Sequence, residues 1–206
     1  MTSGSPSYEL IYFDYTGLAE ITRIMLTLAG ADWKETNPED WASLKPTMPF
    51  EHLPVLIERS EGQPDFILSE SEVIERYIGY KYGFISSSDP KLSAKQEQIR
   101  AQFNDARLMW IEIQFYNGES THRSRFEDQI KLLVRKHEEV LEKNGNTGHY
   151  FGNELTYPDI SAYVIFGAFK QFGFDAEFTD EKAPNLSKLI KNVGKIVEEA
   201  KMKKKQ

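Results

Sequence analysis

The stretch YELIYFDYTGLAE, from Tyr8 to Glu20, decides the fold of this chain because it predicts a short strand that turns into a helix. Its first half contains the apolar and aromatic residues that strands favour, and Gly17 permits a turn. Apolar residues then recur at helical spacing as far as Gly30, which predicts the end of the helix. The open end of such a strand is where α/β folds bind ligands, and Tyr12 stands at that end.

Tyr12 has two interpretations on these residues alone. Its phenol could contact a ligand at the end of the strand. Alternatively it could be a core tyrosine whose hydroxyl is hydrogen-bonded within the protein, which is the commoner situation for a tyrosine in an apolar segment. Both interpretations stay open at this point.

Composition indicates a soluble globular protein. The chain has 206 residues, of which 40% are hydrophobic, enough for one sizeable core or two small ones. Its net charge of −7 argues against nucleic acid as the main partner. No apolar run approaches the roughly 18 residues of a membrane span, and the N-terminus lacks the features of a signal peptide. We therefore expect a cytoplasmic protein with no membrane span and no nucleic acid partner.

The sequence lacks the residues that several common kinds of active site require. Without cysteine, the chain can form no disulfide, no thiolate metal site and no cysteine nucleophile. Its histidines are scattered without the spacing of metal ligands, so we expect no metal. These histidines are His52, His122, His137 and His149. The glycine-rich loops of nucleotide binding and the elbow of serine hydrolases do not occur either.

The sequence pattern changes at a linker, SSSDP, at residues 86–90. Before the linker, strand-like and helical runs alternate, with further strands predicted at 33–36, 54–57 and 66–68 and a helix at 69–82. After it, the pattern is helical throughout. We therefore predict an α/β domain at 1–85 and an all-α domain at 91–206.

Other features of the helical part predict folding roles. His137 lies on an apolar seam, which favours a half-buried histidine with a satisfied ring. Thr156 and Asp159 fit a capping box at the start of a buried helix, where a lost cap would cost on the order of 1 kcal/mol. The lysines at the C-terminal end are typical of a solvated helix end.

Four segments, in this order, resemble the cytosolic glutathione transferases, in the style of the sigma class. They are YFDYTGLAEITRIMLTLAG, DWASLKPTMPFEHLPVL, ESEVIERYIGYKYG and YFGNELTYPDISAY, and they span nearly the whole chain. The resemblance implies a thioredoxin-like N-terminal domain that binds glutathione, followed by a C-terminal helical bundle domain that shapes the pocket of a second substrate. It also implies a homodimer and an electrophilic small molecule as the second substrate.

The resemblance gives Tyr12 the role of the catalytic tyrosine, whose hydroxyl donates a hydrogen bond to the sulfur of bound glutathione. A free thiol titrates near 8.5, and a donor directed at the thiolate lowers its pKa. The thiolate then attacks an electrophilic carbon. Glutathione is thus expected as a co-substrate that supplies the sulfur this cysteine-free chain lacks.

The same matching implies the remaining contacts of glutathione. Pro54 resembles the family's cis-proline, which leaves the backbone of Leu53 free to pair with the cysteinyl segment of the peptide. Glu70 and Ser71 would hold the γ-glutamyl end, because a helix start and a hydroxyl suit a carboxylate and an acid suits an ammonium group. Further implied contacts are Trp41 and Lys45 at the glycine end, His52 beside the proline, and Asp105, an acid that family members reach across the dimer.

On the residues alone, three of these positions have other interpretations. Trp41 could be a hydrophobic plug in a loop, and Lys45 could be a solvated cation. Ser71 could be a helix cap beside an acid that the helix dipole favours.

The pocket for the electrophile is predicted near the tyrosine and on the long helix after the linker. Its predicted residues are Tyr15, Leu18, Asp105, Met109 and Trp110.

Departures from the sigma pattern keep other functions open. Sigma-like members usually carry arginines in the turn after the catalytic tyrosine, where this chain has Thr16 and Leu18, and His52 replaces a lysine or glutamine. Loss of an arginine near the sulfur would weaken stabilisation of the thiolate. The alternatives to a transferase are a glutathione-dependent isomerase or peroxidase, and a non-catalytic binding or structural protein of the crystallin kind.

Overall fold

The computed structural model of the chain describes residues 5–115 and 120–204, without the side chains at 109, 110, 112, 114, 115 and 120–122. Two compact units make up the chain. One runs to Phe84 and includes the chain again from Val197, and the other is Ile85–Ile196. Among the helices of these described ranges, none is long and apolar enough to cross a membrane.

The first unit contains a 4-stranded sheet. Its strands are β1 (Ser7–Ile11), β2 (Asp32–Thr36), β3 (Val55–Arg59) and β4 (Phe66–Ser69). Their spatial order is β2-β1-β3-β4, with β1 parallel to β2 and antiparallel to β3, and with β3 antiparallel to β4. The strands predicted from the sequence are therefore confirmed, although β1 ends just before Tyr12.

Two helices cover the sheet of the first unit. α1 (Glu20–Leu28) supplies the crossover that the parallel pair β1 and β2 requires, and α3 (Ser71–Lys81) packs against α1 and the sheet. Their buried faces carry side chains such as Ile24 and Ile78, each of which stabilises the fold by roughly 1.5 to 3 kcal/mol when removed from water. Gly30, at a φ of 62°, ends α1 as predicted.

The segment between β2 and β3 is irregular. It holds a short helix, α2 (Trp41–Leu44), and two single 3₁₀ turns at Lys45–Thr47 and Pro49–Glu51. Asp40 begins α2 by accepting a hydrogen bond from the N–H of Ser43 at 3.2 Å. The loop therefore has local order of its own, which positions Trp41 and Lys45.

The second unit is helical, as the pattern after the linker predicts. Its helices are α4 (Pro90–Phe115), α5 (Ser120–Lys143), α6 (Tyr157–Gln171) and α7 (Pro184–Lys204), of which α7 continues into the first unit from Val197. α4 packs against both α5 and α6. Aromatic rings meet edge to face in the core, with Phe103 and Phe166 at a centroid distance of 5.7 Å and Phe126 and Phe169 at 5.2 Å.

The predicted capping box of α6 is present, and Asp159 does more than the pattern indicates. Its carboxylate is fully buried and accepts hydrogen bonds from the N–H of Thr156 at 2.7 Å and from the Thr156 hydroxyl at 2.6 Å. It also accepts the N–H of Tyr150, at 2.8 Å. Asp159 thus ties the loop before α6 to the start of that helix.

His137 is more deeply buried than predicted. The seam indicated a half-buried ring, whereas only 2% of its surface is exposed. The ring stacks on Phe103 at 4.8 Å, and Nδ1 lies 2.6 Å from the Tyr150 hydroxyl, so the ring has its expected partner. Burial lowers the pKa of His137 to about 4, so the ring is neutral at pH 7.

The prediction of a solvated helix end is only partly right, because two of the C-terminal lysines make specific contacts. Lys204 places Nζ 3.3 Å from the centroid of the Trp33 ring and donates to the Trp33 carbonyl oxygen. Lys201 lies 3.7 Å from a carboxylate oxygen of Glu20. The sequence could not indicate these contacts, because their partners lie far away along the chain.

These observations confirm the predicted fold class, a thioredoxin-like α/β domain followed by an all-α domain. The domain bounds predicted from the sequence, 1–85 and 91–206, are a separate matter. They remain our proposal for the bounds of the two domains.

Candidate functional site

One edge of the sheet gathers several of the predicted residues. The register pairs Ile11 with Val55, and Val55 with Ser69. Tyr12 follows the first of these residues, Pro54 precedes the second and Glu70 follows the third, so all three lie at the same edge. Ile11 is also paired with Thr36, the last residue of β2, so the loop that leads to Trp41 starts from this edge too.

Tyr12 is buried, but its hydroxyl group lies beside an exposed residue. Only 3% of the Tyr12 surface is exposed, against 56% for Tyr15. The Tyr12 hydroxyl oxygen accepts a hydrogen bond from the N–H of Leu18 at 3.0 Å, and the hydroxyl donates to that of Tyr15 at 3.5 Å. The second distance is long for a hydrogen bond between hydroxyls, so the Tyr12 proton is only weakly engaged.

The Tyr12 phenol keeps its proton in this environment. Burial is the main cause that raises its pKa well above the usual value for tyrosine, and the Tyr15 hydroxyl raises it further. The Leu18 N–H and the charge of Arg23 act in the opposite direction without reversing the shift. Near neutral pH the group is therefore a hydrogen-bond donor and not a base.

Gly17 is required for this arrangement. Its φ is +43°, a backbone conformation that side chains disfavour. A Cβ atom at this position would lie 2.5 Å from the Tyr12 hydroxyl oxygen and 2.6 Å from a ring carbon of Tyr15. Glycine therefore allows the backbone to approach the hydroxyl closely.

Arg23, on α1, holds the loop that follows Tyr12. Its Nη1 donates to the carbonyl oxygens of Tyr15 and Thr16, each at 2.9 Å, and its Nη2 donates to that of Phe13 at 3.1 Å. Arg23 is not among the residues predicted from the sequence. Its partners are backbone carbonyls and acids from separate segments, and the one signal in the sequence is a single cation in the otherwise largely apolar helix α1.

Trp41 and Lys45 lie in the loop after β2. Trp41 meets the ring of Phe13 edge to face at 5.7 Å, and Phe13 is itself stacked with Tyr15 at 5.8 Å. Trp41 is thus joined by aromatic contacts to the segment that follows Tyr12, residues 13–18, which we call the tyrosine loop. Lys45 is exposed, with Nζ 3.9 Å from a carboxylate oxygen of Glu51.

The peptide bond between Leu53 and Pro54 is cis, as the resemblance implies. Pro54 is buried and Leu53 is partly exposed. Within the described residues, no backbone hydrogen bond engages the N–H or C=O of Leu53. His52 is exposed, and its ring contacts the Phe50 carbonyl oxygen.

Glu70 and Ser71 mark the start of α3. Glu70 occupies the N-cap position at a φ of 70°, is exposed, and makes no side-chain cap. Ser71 is therefore the first helical residue and not the cap that the alternative interpretation indicated. Because Glu70 makes no side-chain cap, first-turn N–H groups of α3 can donate hydrogen bonds to an anionic ligand.

The residues predicted for the electrophile pocket fall into different parts of the chain. Tyr15 and the partly exposed Leu18 belong to the tyrosine loop of the first unit. Asp105 is exposed on α4, in the second unit. Met109 and Trp110 are on the same helix, but their side chains lie outside the described residues.

The described residues contain no group of three or more histidines, aspartates or glutamates that could hold a metal ion. The polar groups at the sheet edge are instead a phenol, a hydroxyl, backbone groups and one carboxylate. Such a set suits a peptide-like ligand with both an amino group and carboxylates.

Comparison with known proteins identifies both halves of the chain. The family described as glutathione S-transferase, N-terminal domain, matches residues 8–80, and that described as glutathione S-transferase, C-terminal domain, matches residues 104–198. The chain is similar to "Glutathione S-transferase 3" of Caenorhabditis elegans, with 30% identity over 74% of this chain and 75% of the relative.

Two further similarities are to an S-crystallin and to a solved structure. "S-crystallin 2" of Enteroctopus dofleini is 26% identical over 77% of this chain and 79% of the relative. Among solved structures, a sigma class enzyme of Fasciola hepatica superposes with a TM-score of 0.81 at 22% identity, covering 96% of each chain. At that identity the superposition supports the fold alone.

Proposed function

The chain belongs to the glutathione S-transferase family, and from this premise we propose that it activates the thiol of glutathione through the Tyr12 hydroxyl for attack on an electrophilic small molecule. The observation that carries the proposal is the protonation and hydrogen bonding of the Tyr12 phenol. The phenol is protonated, lies at the edge of the sheet beside an exposed loop, and accepts the N–H of Leu18. Among the residues that the structure describes, the partner of its own proton is the Tyr15 hydroxyl, at the long distance of 3.5 Å.

The proposed chemistry is stabilisation of charge. The Tyr12 hydroxyl donates a hydrogen bond to the sulfur, which takes the place of Tyr15 as the partner of that proton. The thiol proton leaves to solvent. The hydrogen bond from Tyr12 stabilises the thiolate and therefore lowers the pKa of the thiol. The thiolate forms a bond to an electrophilic carbon, and the electron pair of the bond that breaks leaves with the displaced group or moves into the substrate.

The remaining predicted contacts define the proposed position of glutathione. Leu53, whose backbone groups make no hydrogen bond within the described part of the chain, would pair with the cysteinyl segment beside Pro54. The uncapped start of α3 with Ser71 would bind the γ-glutamyl carboxylate, and Glu70 its ammonium group. Trp41 and Lys45 would hold the glycine end, with His52 nearby, and Asp105 would reach the peptide from the other subunit of a dimer. We further propose a cytoplasmic location.

Glutathione binding is the first test of this function. A ligand that binds only the folded state stabilises it by about 2.7 kcal/mol at a hundredfold excess over Kd. We therefore expect millimolar glutathione to raise the melting temperature of the protein. The same peptide with alanine in place of cysteine should raise it similarly, because the proposed contacts at the two ends do not involve sulfur. No shift with either peptide would contradict the proposal.

The alternative function is that of a non-catalytic or structural relative. It has support in the similarity to an S-crystallin and in Leu18, which stands where sigma-like members carry an arginine. A panel of electrophiles separates the two. Turnover of an aryl halide, an isomerisable prostaglandin endoperoxide or a hydroperoxide would identify transferase, isomerase or peroxidase activity respectively. Binding of glutathione without any turnover would favour the structural protein.

We also propose that the chain forms a homodimer in which the helical unit of one subunit pairs with the first unit of the other. Large apolar side chains there are exposed, including Phe50 and Ile67, at 76% and 52% of their surfaces. Phe66, Val73 and Tyr80 are exposed as well. Exposed apolar side chains mark a protein interface where they form one contiguous patch. Light scattering at micromolar concentration should give the mass of a dimer, and Ile67→Glu should shift it toward the monomer. A monomeric wild-type protein would contradict this proposal.

A further inference from the structure

We propose that Arg23 is a positioning residue for Tyr12: its guanidinium fixes the loop of residues 13–16 so that the Leu18 N–H is held against the Tyr12 hydroxyl. This inference rests on the proposed function, because it names the residue that keeps the activating hydroxyl in place. Arg23 contacts neither glutathione nor the electrophile in this proposal. It acts through the loop.

The loop carbonyls converge on a single cation. Three of them, from Phe13, Tyr15 and Thr16, accept hydrogen bonds from the two terminal nitrogens of Arg23 at 2.9 to 3.1 Å. Carbonyl oxygens that point to one place repel each other unless a donor satisfies them all. The planar fork of an arginine presents several donors in a fixed geometry and suits this task, whereas an ammonium group has only three.

The guanidinium is itself held from the opposite side. Arg23 Nε donates to a carboxylate oxygen of Glu35, on β2, at 2.9 Å, and Nη2 contacts the same oxygen. Nη1 also reaches Glu20, at 3.2 Å. The Arg23 side chain is only 13% exposed, so solvent screens these charges weakly. The loop is therefore tied through one side chain to both a strand and a helix.

The loop in turn sets the environment of the hydroxyl. The residues that Arg23 holds lie between Tyr12 and Leu18, and the Leu18 N–H donates to the Tyr12 oxygen at 3.0 Å. A hydroxyl that accepts a hydrogen bond is polarised and becomes a better donor. The Arg23 charge also lies 5.6 Å from the centroid of the Tyr12 ring, so this chain has a cation beside the phenol although position 18 is leucine.

Titration of bound glutathione in Arg23 variants tests the inference. In Arg23→Met we expect the pKa of the bound thiol, read from thiolate absorbance, to rise by about one unit and kcat to fall about tenfold, with the Kd of glutathione little changed. Arg23→Lys keeps the charge without the fork and should show part of the same defect. Hydrogen exchange at the Leu18 amide should be faster in both variants.

Arg59→Met is the matched control in the same unit. Arg59 also bonds two acids, Glu9 at 2.8 Å and Asp65 at 3.1 Å, but has no contact with the tyrosine loop. This variant should leave both the pKa of the bound thiol and the rate of hydrogen exchange at the Leu18 amide unchanged. The inference would be overturned if folded Arg23→Lys matched the wild type in both measurements. If the wild type binds no glutathione, the proposed function fails, but Leu18 exchange in Arg23→Lys still tests the role of Arg23.

Discussion

At the scale of single residues, the proposed site depends on three residues around one hydroxyl group. In our proposal Tyr12 supplies the proton, Gly17 leaves room for the backbone, and Arg23 fixes the loop between them. The positions of Tyr12 at a strand end and of Gly17 in a turn could be predicted from the sequence, because both have local signals, whereas the role of Tyr12 stays a prediction. Arg23 could not be predicted, since its contacts join a loop and a strand that only the folded chain brings together.

Gly17→Ala tests the close approach to the hydroxyl. Its Cβ would overlap the Tyr12 oxygen, so we expect a loss of stability about 1 to 3 kcal/mol larger than positive φ alone explains, together with reduced turnover. Gly62→Ala is the control, because Gly62 has a φ of +72° and no heavy atom within 4 Å of its Cβ position. Equal losses in urea denaturation of the two variants would contradict the close contact.

His137 predicts how stability depends on pH. Its pKa is about 4 in the folded protein and near 6.5 when unfolded, so between these values the unfolded chain binds a proton that the folded chain does not. Stability should therefore fall as the pH drops below 6.5, by about 2 kcal/mol between pH 7.5 and 5. The measurement is urea denaturation across this range.

His137→Gln removes that titration and serves as the comparison. All other ionisable groups are the same in both proteins, so their contributions cancel in the difference. The variant should lose less stability than the wild type on acidification. Parallel losses in the two proteins would show that His137 does not carry the effect.

At the scale of elements, the sequence predicts the helices and strands well because their signals are local. Apolar spacing indicated β1 to β4 and the first and third helices, and Thr156 with Asp159 indicated where α6 starts. The strand order and register are not readable in this way. Pairing of Ile11 with Val55, which brings Tyr12 and Pro54 to one edge, depends on contacts between distant segments.

Asp159→Ala tests the cap of α6. The substitution leaves the N–H groups of Thr156 and Tyr150 without their acceptor in a buried place, so we expect a loss of about 2 to 4 kcal/mol in the free energy of unfolding. Asp40→Ala removes the cap of α2, which is exposed, and should cost much less. Similar losses for both variants in urea denaturation would contradict the structural role of Asp159.

At the scale of the whole molecule, the chain has the two-part organisation of the glutathione S-transferase family. The change of pattern at residues 86–90 and the order of the four resembling segments were enough to predict the fold class and the family, and both are confirmed. Glutathione contacts at Trp41, Lys45, Leu53, Glu70 and Ser71 stay predictions. The sequence does not identify the electrophilic substrate, because an apolar pocket wall is compatible with many substrates.

The most direct test of the account is the titration of bound glutathione in Tyr12→Phe, with Tyr8→Phe as control. Tyr8 is as deeply buried, and its hydroxyl bonds that of Tyr82 at 2.9 Å, away from the proposed site. We predict that Tyr12→Phe raises the pKa of the bound thiol and lowers turnover roughly 10- to 1000-fold, about 1.4 to 4 kcal/mol, with glutathione affinity little changed. Tyr8→Phe should affect stability alone. If Tyr12→Phe bound glutathione with an unshifted thiol pKa and turned over at the wild-type rate, Tyr12 would be a core tyrosine and the account would be wrong.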